Sequence, residues 1–468
     1  MRHRNLKLFS LILALIFQLH LAGCGSETHT ANTFPVVVFS DVHFDPFYDP
    51  SPSIFQALVA ADATGWADIF KTSGIVTPSV WGNDTNYPLL VLALSSIRQN
   101  LGTSPLIIFT GDILGHDFAQ LFYTQYYWPQ SVPSVPGPAA VAAMQAFAGK
   151  TVTFFAQQVR SSVGNIPVMF VVGNNDSYAD LGPDSTFLAS TAEPFYKNFV
   201  NGTVDHQAFL DTFKAGGYYS AEVPGRNLTV IGLNTVMFSP LIPLDTGAVN
   251  AELAWLDSTL AQAKTAGKKV WLLMHEPPGA NILATFPTID AGGHIATFPT
   301  IMMWNQDYQA SFLQILSKYP GVISLTLGGH THMDEYRILS SSSIIEITPS
   351  ISPRSSNNPA FRVFTFSHDT FKPTDYKTLS CDLSTNPLQF KSYYDFSTAY
   401  FVQGLLDDSL AQLFPALVTD NTKQALYREH YFSGHNSPAY ITDANWPVFW
   451  CGIDHMDKQG FIDCVNAY

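Results

Sequence analysis

Residues 34–46 of this 468-residue chain read FPVVVFSDVHFDP, and this stretch decides the fold class. The apolar run 34–39 is rich in β-branched residues, which is typical of a strand buried on both faces, as in a parallel sheet. Asp41 and His43 follow at once, and both side-chain types bind metal ions. Because residues i and i+2 of an extended chain point to the same side, the stretch predicts a buried strand with a pair of metal ligands at its carboxyl end.

Four more apolar runs further along the chain end in the same kind of turn. The turns are Gly111-Asp112, Gly173-Asn174-Asn175-Asp176, His275 and Gly329-His330-Thr331-His332, after runs at 106–109, 168–172, 270–274 and 322–327. One such turn alone is common in proteins that bind no metal, so the prediction rests on the succession of five. We expect these side chains to converge, because ligands bind at the carboxyl ends of parallel strands. Oxygen and nitrogen donors suit Zn, Mn or Fe in a hydrolytic site rather than a cysteine-built structural zinc site.

Helical segments occupy the intervals between the predicted strands. We predict helices at 89–101, 139–163, 250–266 and 306–318, and further strands at 228–233 and 344–347. Asn250 is expected to cap the start of its helix and Gly267 to end it. This alternation predicts a layered α/β fold with helices outside a central sheet system. Two long segments rich in proline and aromatic residues, 41–88 and 119–138, are expected to form rims of the site.

The composition is that of a folded, acidic protein. Hydrophobic residues make up 46% of the chain and charged residues only 13%, which excludes a disordered chain. Asp and Glu number 37 against 23 Lys and Arg, so the formal net charge is −14. A nucleic-acid-binding protein usually carries a basic face, and no run of Lys or Arg follows the amino terminus. Nucleic acid is therefore not expected as the main partner.

The amino terminus is predicted to be a processing signal. Residues 1–23 begin with basic residues and continue into an apolar run that is shorter than the ~20 residues of a membrane span. The run ends in Leu21-Ala22-Gly23-Cys24, which resembles a bacterial lipobox. In this interpretation Cys24 is lipidated and anchors the exported protein to the cell envelope, and residues 24–33 are a tether. An ordinary secretory signal with a chance cysteine is the alternative.

The carboxyl-terminal part of the chain has a different pattern. From residue 366 to 468 we predict a mainly helical subdomain that packs on residues 34–365. Cys451 and Cys464 are close enough in sequence to form a local disulfide in an oxidising compartment, which would leave Cys381 buried and unpaired. Three free, buried thiols are the alternative.

Together these motifs resemble those of the calcineurin-like metallophosphoesterases and, among them, the acid sphingomyelinase-like phosphodiesterases. The resemblance to the superfamily rests on the motifs D-x-H, G-D, G-N, H and G-H-x-H. The resemblance to the narrower group rests on His275-Glu276-Pro277-Pro278-Gly279, on Gly111-Asp112-Ile113-Leu114-Gly115-His116 and on Trp450-Cys451-Gly452-Ile453 in the tail. It implies an αββα fold, in which a central β-sandwich is flanked by helices, over residues 34–365.

The resemblance also implies a site with two divalent metal ions. By it, one metal is bound by Asp41, His43 and His332 and the other by Asn174, His275 and His330, while Asp112 bridges the two. Zn is the expected metal, with Mn or Fe as alternatives. Two cations ~3.5–4 Å apart neutralise phosphoryl oxygens and generate a bridging hydroxide that attacks phosphorus.

The chain departs from the family pattern at Asn175. Relatives usually have histidine there as a proton donor, and an amide cannot act as a general acid. Endopolyphosphatase-like relatives share the Gly-Asn-Asn-Asp form, so the departure does not imply an inactive enzyme. We assign the general-acid role to His116. The alternative is that His116 only orients a metal-bound group through a hydrogen bond.

The predicted function is hydrolysis of a phosphodiester or phosphoanhydride bond. The substrate is expected to be a lipid head group, a nucleotide or polyphosphate. One alternative is a polyphosphate or nucleotide phosphohydrolase of the same fold. Another is a surface-binding lipoprotein that has lost catalysis, an interpretation supported only by Asn175. Asp45 is expected either to support His43 or to cap a turn. Asn234 and Thr331 are expected either to touch the substrate or to hold loops.

Overall fold

Two six-stranded sheets form the centre of the protein. The computed structural model describes residues 32–179, 181–242, 245–285, 302–340, 343–435 and 441–468. The predicted signal peptide, Cys24 and most of the tether lie outside these ranges. The strands are β1 Thr33–Phe39, β2 Ile107–Phe109, β3 Val168–Phe170, β4 Tyr219–Glu222, β5 Leu228–Gly232, β6 Lys269–Leu273, β7 Ile323–Gly328, β8 Glu335–Ser340, β9 Ser343–Ile347, β10 Ala360–Ser367, β11 Pro373–Ser380 and β12 Lys391–Asp395.

The order of the strands explains where the predicted metal-binding turns meet. The first sheet runs β12-β11-β10-β1-β2-β3 and the second β4-β5-β6-β7-β9-β8. Strands β1, β2 and β3 are neighbours and parallel, with Val37 opposite Ile107 and Ile107 opposite Val168. Strands β5, β6 and β7 are parallel neighbours in the second sheet. All five turns follow strands of these two parallel groups, as the apolar runs predict.

The two sheets pack face to face and form a sandwich. The Tyr219 hydroxyl of β4 bonds to the backbone N–H and C=O of Phe170 in β3, at 2.8 and 2.9 Å. The Trp271 ring of β6 lies with its centroid 4.3 Å from that of Phe366 in β10. Burial of such large aromatic rings is a major source of the hydrophobic stabilisation of a core. These contacts confirm the layered α/β architecture.

Helices cover the outer faces of the sandwich. Their bounds are α1 Pro52–Ala60, α2 Trp66–Thr72, α3 Tyr87–Gln99, α4 Phe118–Tyr127, α5 Pro138–Val163, α6 Ser185–Phe195, α7 His206–Gly216, α8 Thr246–Thr265, α9 Ile282–Thr285, α10 Gln306–Ser317, α11 Phe396–Tyr400, α12 Leu406–Thr419, α13 Asn421–Tyr431, α14 Trp446–Asp454 and α15 Lys458–Ala467. The apolar face of α8 packs in one cluster with outward-facing residues of β5 and β6. Phe155 of α5 contacts Phe109 of β2, with ring centroids 5.2 Å apart.

One predicted helix start was wrong. Helix α8 begins at Thr246, and the Asp245 side chain caps it by accepting a hydrogen bond from the Ala248 N–H at 3.0 Å. Aspartate and asparagine side chains cap helix starts about equally well. Asp245 comes first in the chain and caps the helix, so Asn250 lies inside it. Gly267 has the positive φ angle, 67°, that is typical of a residue just after a helix end.

Helix α5 is long and apolar enough to cross a membrane by length and composition alone. In the structure, half of its most apolar window is buried inside the protein. Phe147, Phe154 and Phe155 belong to the main hydrophobic core. This packing is that of a core helix.

The segment 366–468 continues the first sheet. The boundary predicted at residue 366 falls inside β10, and β11 and β12 extend the sheet that contains β1. Residues 34–468 form one compact unit. The rest of the segment is helical, and Cys451 in α14 is bonded to Cys464 in α15, which confirms the predicted disulfide. Cys381 is a buried free thiol.

Candidate metal centre

Three of the five turns, those after β1, β2 and β7, hold their predicted metal ligands in an uncommon backbone conformation. Asp41, His43, Asp112, His330 and His332 all have positive φ angles, between 46° and 73°. For residues other than glycine this region costs on the order of 1 kcal/mol each, and such residues cluster at functional sites. The His43 N–H donates to the Asp112 carbonyl at 3.0 Å, which ties the first turn to the second.

Asp112 lies at the middle of the cluster. Its Oδ2 is 3.3 Å from Nε2 of His43 and 3.3 Å from Nε2 of His275. Those two histidines come from different sheets, so the carboxylate has nitrogen donors on both sides. This is the place of the bridging ligand that the family resemblance implies.

One group of donors consists of Asp41, His43 and His332. Nε2 of His43 and Nε2 of His332 are 3.0 Å apart. Asp41 Oδ1 lies 3.8 Å from the His43 nitrogen and 3.6 Å from the His332 nitrogen. Asp41, His43 and Asp112 each offer a donor atom within 4.8 Å of the others, which is a spacing that a single metal ion can span.

The other group consists of Asn174, His275 and His330. Asn174 Oδ1 is 3.1 Å from Nε2 of His275 and 2.7 Å from Nδ1 of His330. The His330 N–H also donates to both carboxylate oxygens of Asp41 at 3.1 Å, which joins this group to the first. The structure thus brings all seven predicted ligand residues into one cluster, in two groups about Asp112.

Backbone carbonyls orient the two histidines nearest to Asp112. His43 Nδ1 lies 3.1 Å from the Leu114 carbonyl and His275 Nδ1 lies 2.7 Å from the Thr110 carbonyl. A ring nitrogen that donates to a carbonyl fixes the ring and leaves the other nitrogen to bind a metal. In both histidines that other nitrogen, Nε2, faces Asp112.

The four histidines among the predicted ligands have different pKa values in the metal-free protein, so two of them are charged at neutral pH and two are not. Burial alone would lower the pKa of His43 and His275, but the Asp112 carboxylate raises them to about 9 and about 10. Burial lowers the pKa of His330 to about 4, with the charge of His275 acting in the same direction. Burial also lowers the pKa of His332, to about 3. The neighbouring histidines hold the pKa of Asp112 well below its usual range, although burial opposes this.

This donor set fits divalent cations. Two carboxylates, one amide oxygen and four imidazoles supply hard and borderline ligands with two formal negative charges. The Nε2 atoms of His43 and His332 face each other at 3.0 Å, so at most one proton can lie between them. A cation placed there would satisfy both nitrogens and Asp41 at once.

Metal loading at pH 7.5 is expected to release about two protons per chain. The reason is that His43 and His275 carry protons in the metal-free protein, since their pKa values lie above this pH. Metal affinity should accordingly weaken as the pH falls. Calorimetric titration with Zn or Mn in buffers of different ionisation enthalpy measures the number released. A binding enthalpy that does not depend on the buffer would contradict this charge distribution.

Asp176 connects the second and third turns. Its buried carboxylate accepts four backbone N–H bonds of 2.7 to 3.3 Å, from Gly173, Asp112, Ile113 and Leu114. Burial, together with the nearby Asp112 charge, raises its pKa to about 6. The sequence motifs predict no role for Asp176. The structure shows it to be the residue that holds the backbone around Asp112.

Asn175 faces the central carboxylate. Its backbone N–H donates to Asp112 Oδ1 at 2.8 Å and its side-chain amide donates to Oδ2 at 2.9 Å. Both groups donate to the charged form of Asp112, which favours ionisation. Asn175 therefore contributes to the centre by holding the carboxylate in place.

His116 lies at the edge of the centre with a carboxylate behind it. Its ring stacks on that of His43, with centroids 4.1 Å apart. Nδ1 of His116 is 3.0 and 3.1 Å from the two oxygens of Asp84, and the His116 backbone N–H donates to Asp84 at 2.7 Å. The His116 side chain is 29% exposed and that of Asp84 only 5%. With Nδ1 directed to Asp84, Nε2 is the nitrogen that remains for a ligand or substrate.

Asp84 was missed in the sequence because it lies 32 residues before His116. The only signal was its place in the segment 41–88, which was predicted to form a rim. Burial alone would raise the pKa of Asp84, but the His116 hydrogen bond and the charge of His43 lower it, so it stays ionised.

The weaker candidates hold turns and loops. Asp45 accepts the Phe47 N–H at 2.8 Å, so it caps a turn. The Asn234 side chain donates to the Gly216 carbonyl at 2.9 Å, and Thr331 accepts the Met333 N–H at 3.3 Å. These contacts agree with the loop-holding roles expected for Asn234 and Thr331.

Comparison with known families decides the class. The profile described as calcineurin-like phosphoesterase matches residues 34–334, which include all seven ligand candidates. The chain belongs to the calcineurin-like phosphoesterase family. It is therefore an enzyme of the metallophosphoesterase class, and the family requires divalent metal ions of the kind that the cluster can bind.

Curated relatives carry phosphodiesterase names. The chain is 25% identical to cyclic GMP-AMP phosphodiesterase SMPDL3A of Mus musculus, over 95% of this chain and 96% of that protein. It is 25% identical to sphingomyelinase phosphodiesterase C of Dictyostelium discoideum, over 68% of this chain and 72% of that one. These relatives confirm the resemblance to the acid sphingomyelinase-like group. Among solved structures, a dimetal phosphatase from Danio rerio matches 74% of this chain and 95% of its own, with 12% identity and a TM-score of 0.38.

Proposed function

We propose that this calcineurin-like phosphoesterase is a two-metal hydrolase of phosphodiester bonds in small phosphate esters. The single observation that carries the proposal is the position of Asp112 between two groups of donors. The names of its relatives support a diester substrate, since one group acts on a cyclic dinucleotide and the other on a sphingolipid. Polyphosphate or nucleotide phosphoanhydrides remain the second class of substrate, because a phosphoanhydride presents the same phosphoryl group.

The metals would be bound in two positions. Asp41, His43 and His332 would hold one cation, Asn174, His275 and His330 the other, and Asp112 would contact both. When bound, two divalent cations supply charge neutralisation at the phosphoryl oxygens and a nucleophilic hydroxide near neutral pH. The donor set favours Zn, with Mn or Fe as alternatives, and elemental analysis of the purified protein distinguishes them.

His116 is proposed to donate the proton to the leaving oxygen. Its Nδ1 is held by Asp84, so Nε2 is the ring nitrogen left to face the leaving oxygen. Asp84 acts through the ring and is a positioning residue. Asn175 holds Asp112 and has no titratable proton, so it does not serve as the acid.

The test is turnover of bis(4-nitrophenyl) phosphate by the purified protein loaded with Zn or Mn. We expect hydrolysis that is lost in a chelator and restored when metal is added back. A metal-loaded protein that binds the ester without hydrolysing it would favour the alternative of a surface-binding lipoprotein that has lost catalysis. All seven ligand candidates lie together in the described structure, a feature that a purely binding protein would not need.

Cys24→Ala is expected to release the protein from the membrane fraction. The proposal of an exported, lipid-anchored protein rests on Leu21-Ala22-Gly23-Cys24 after a basic segment. A diacylated cysteine anchors more firmly than a single acyl chain, so its loss should convert most of the protein to a soluble form. Fractionation of cells that express each variant measures this, with Cys381→Ala as the control. Identical fractionation of Cys24→Ala and wild type would rule out the lipobox.

A further inference from the structure

We propose that Arg354 binds a second phosphate group of the substrate. The site would then take phosphodiesters that carry at least one further phosphate, as nucleotides do, in preference to zwitterionic lipid head groups. This inference rests on the hydrolase function proposed above and names its class of substrate.

The loop that carries Arg354 is bound to the metal centre at several points. Ser355 Oγ is 3.1 Å from Nδ1 of His332. Ser352 Oγ donates to Asp84 Oδ1 at 3.2 Å, and the Ser352 N–H donates to the Asp41 carbonyl at 3.0 Å. Ser352 and Ser355 therefore contact a predicted metal ligand or the carboxylate that supports His116, which places the loop of Arg354 beside the centre.

The guanidinium of Arg354 faces the residue that follows His116. Its Nη2 is 3.6 Å from Asp117 Oδ2, and the side chains of Arg354 and Asp117 are 41% and 70% exposed. An ion pair between such exposed groups contributes little, so a substrate group can displace the carboxylate at small cost. A phosphate is a strong competitor, because its oxygens accept two parallel N–H bonds from an arginine.

Two other arginines, which follow the turn of His330 and His332, cannot bind a phosphate group of the substrate. Arg337 and Arg362 are fully buried. Arg362 is paired with Asp334 and Glu346, and Arg337 lies 3.7 Å from Glu335. The chain has a net charge of −14, which repels an anionic substrate. The positive charge of Arg354 beside the centre therefore matters most for such a substrate.

The experiment compares two dinucleotides that have the same internal phosphodiester. One is thymidylyl-thymidine, and the other is the same dinucleotide phosphorylated at both ends. In the metal-loaded wild-type enzyme we expect a higher kcat/KM for the phosphorylated form. Arg354→Gln should lower the ratio of the two kcat/KM values about 10- to 100-fold, the range typical of a charged hydrogen bond to phosphate. Arg354→Lys should give an intermediate ratio, because lysine keeps the positive charge and lacks the two parallel N–H donors of the guanidinium.

The matched control is Arg98→Gln, an exposed arginine near the end of α3, which should keep the wild-type ratio.

Binding provides a readout that is independent of turnover. In a chelator, calorimetry should show that the doubly phosphorylated dinucleotide binds Arg354→Gln about 10-fold or more weakly than wild type. Equal dissociation constants, or a wild-type preference for the unphosphorylated form, would overturn the assignment of Arg354. If the metal-loaded protein cleaves neither dinucleotide nor the nitrophenyl diester, the proposed function fails, and the binding comparison still decides whether Arg354 recognises phosphate.

Discussion

Asp112→Asn is expected to lower the metal content at both positions together and to reduce kcat/KM by at least about 10³-fold. The expectation follows from the geometry, because one carboxylate oxygen lies 3.3 Å from a histidine of each donor group. An amide lacks the charge that stabilises two cations, and losing even about 4 kcal/mol of transition-state stabilisation corresponds to a factor of about 10³.

The measurement combines elemental analysis with turnover of the nitrophenyl diester. Asp68→Asn is the matched control, because Asp68 is an exposed aspartate paired with Lys71 on the surface. Circular dichroism of each variant shows whether the fold is retained. A folded Asp112→Asn protein that keeps a full complement of one metal and loses only the other would mean that Asp112 belongs to one position alone.

His116→Ala is expected to slow cleavage of an alkyl or nucleotide diester about 10²- to 10⁴-fold, with both metals retained. An alkoxide is a poor leaving group and needs a proton, whereas nitrophenolate leaves readily without one. The loss on the nitrophenyl diester should therefore be far smaller. The control is His206→Ala, since His206 is an exposed histidine that also pairs with a carboxylate, Glu193, at 2.9 Å.

Equal losses on the two substrates would assign His116 an orienting role instead. The reverse test places a histidine at the position that family members use. Asn175→His in the His116→Ala background should restore part of the lost rate if the two positions face the same leaving oxygen. Asn175 now donates to Asp112, so this replacement also removes a hydrogen bond, and metal content must be measured alongside.

The turns of the candidate metal centre could be predicted because their sequence pattern is local. Each turn follows a short apolar run, and the parallel strands that these runs form carry Asp41, Asp112 and His330 to the place where the carboxyl ends of strands from the two sheets meet. The disulfide could be predicted for the same reason, since its two cysteines are separated by 13 residues.

The surroundings of the centre depend on contacts between distant segments. Asp84 supports His116 from 32 residues away, and Ser355 reaches His332 across 23 residues. No periodicity or spacing in the sequence links these pairs, because the loops that bring them together are irregular. The same holds for the tail, where β11 and β12 join the sheet of β1, whereas the sequence pattern predicted a mainly helical subdomain packed on residues 34–365.

The proposed function depends on two metal ions that act together at Asp112. The most direct measurement is a titration of metal-free protein with Zn or Mn, in which bound metal and turnover of bis(4-nitrophenyl) phosphate are followed at each addition. We expect both quantities to rise until two equivalents per chain are bound and then to level off. Saturation of both bound metal and turnover at one equivalent, or turnover that is unaffected by removing the metal, would contradict it.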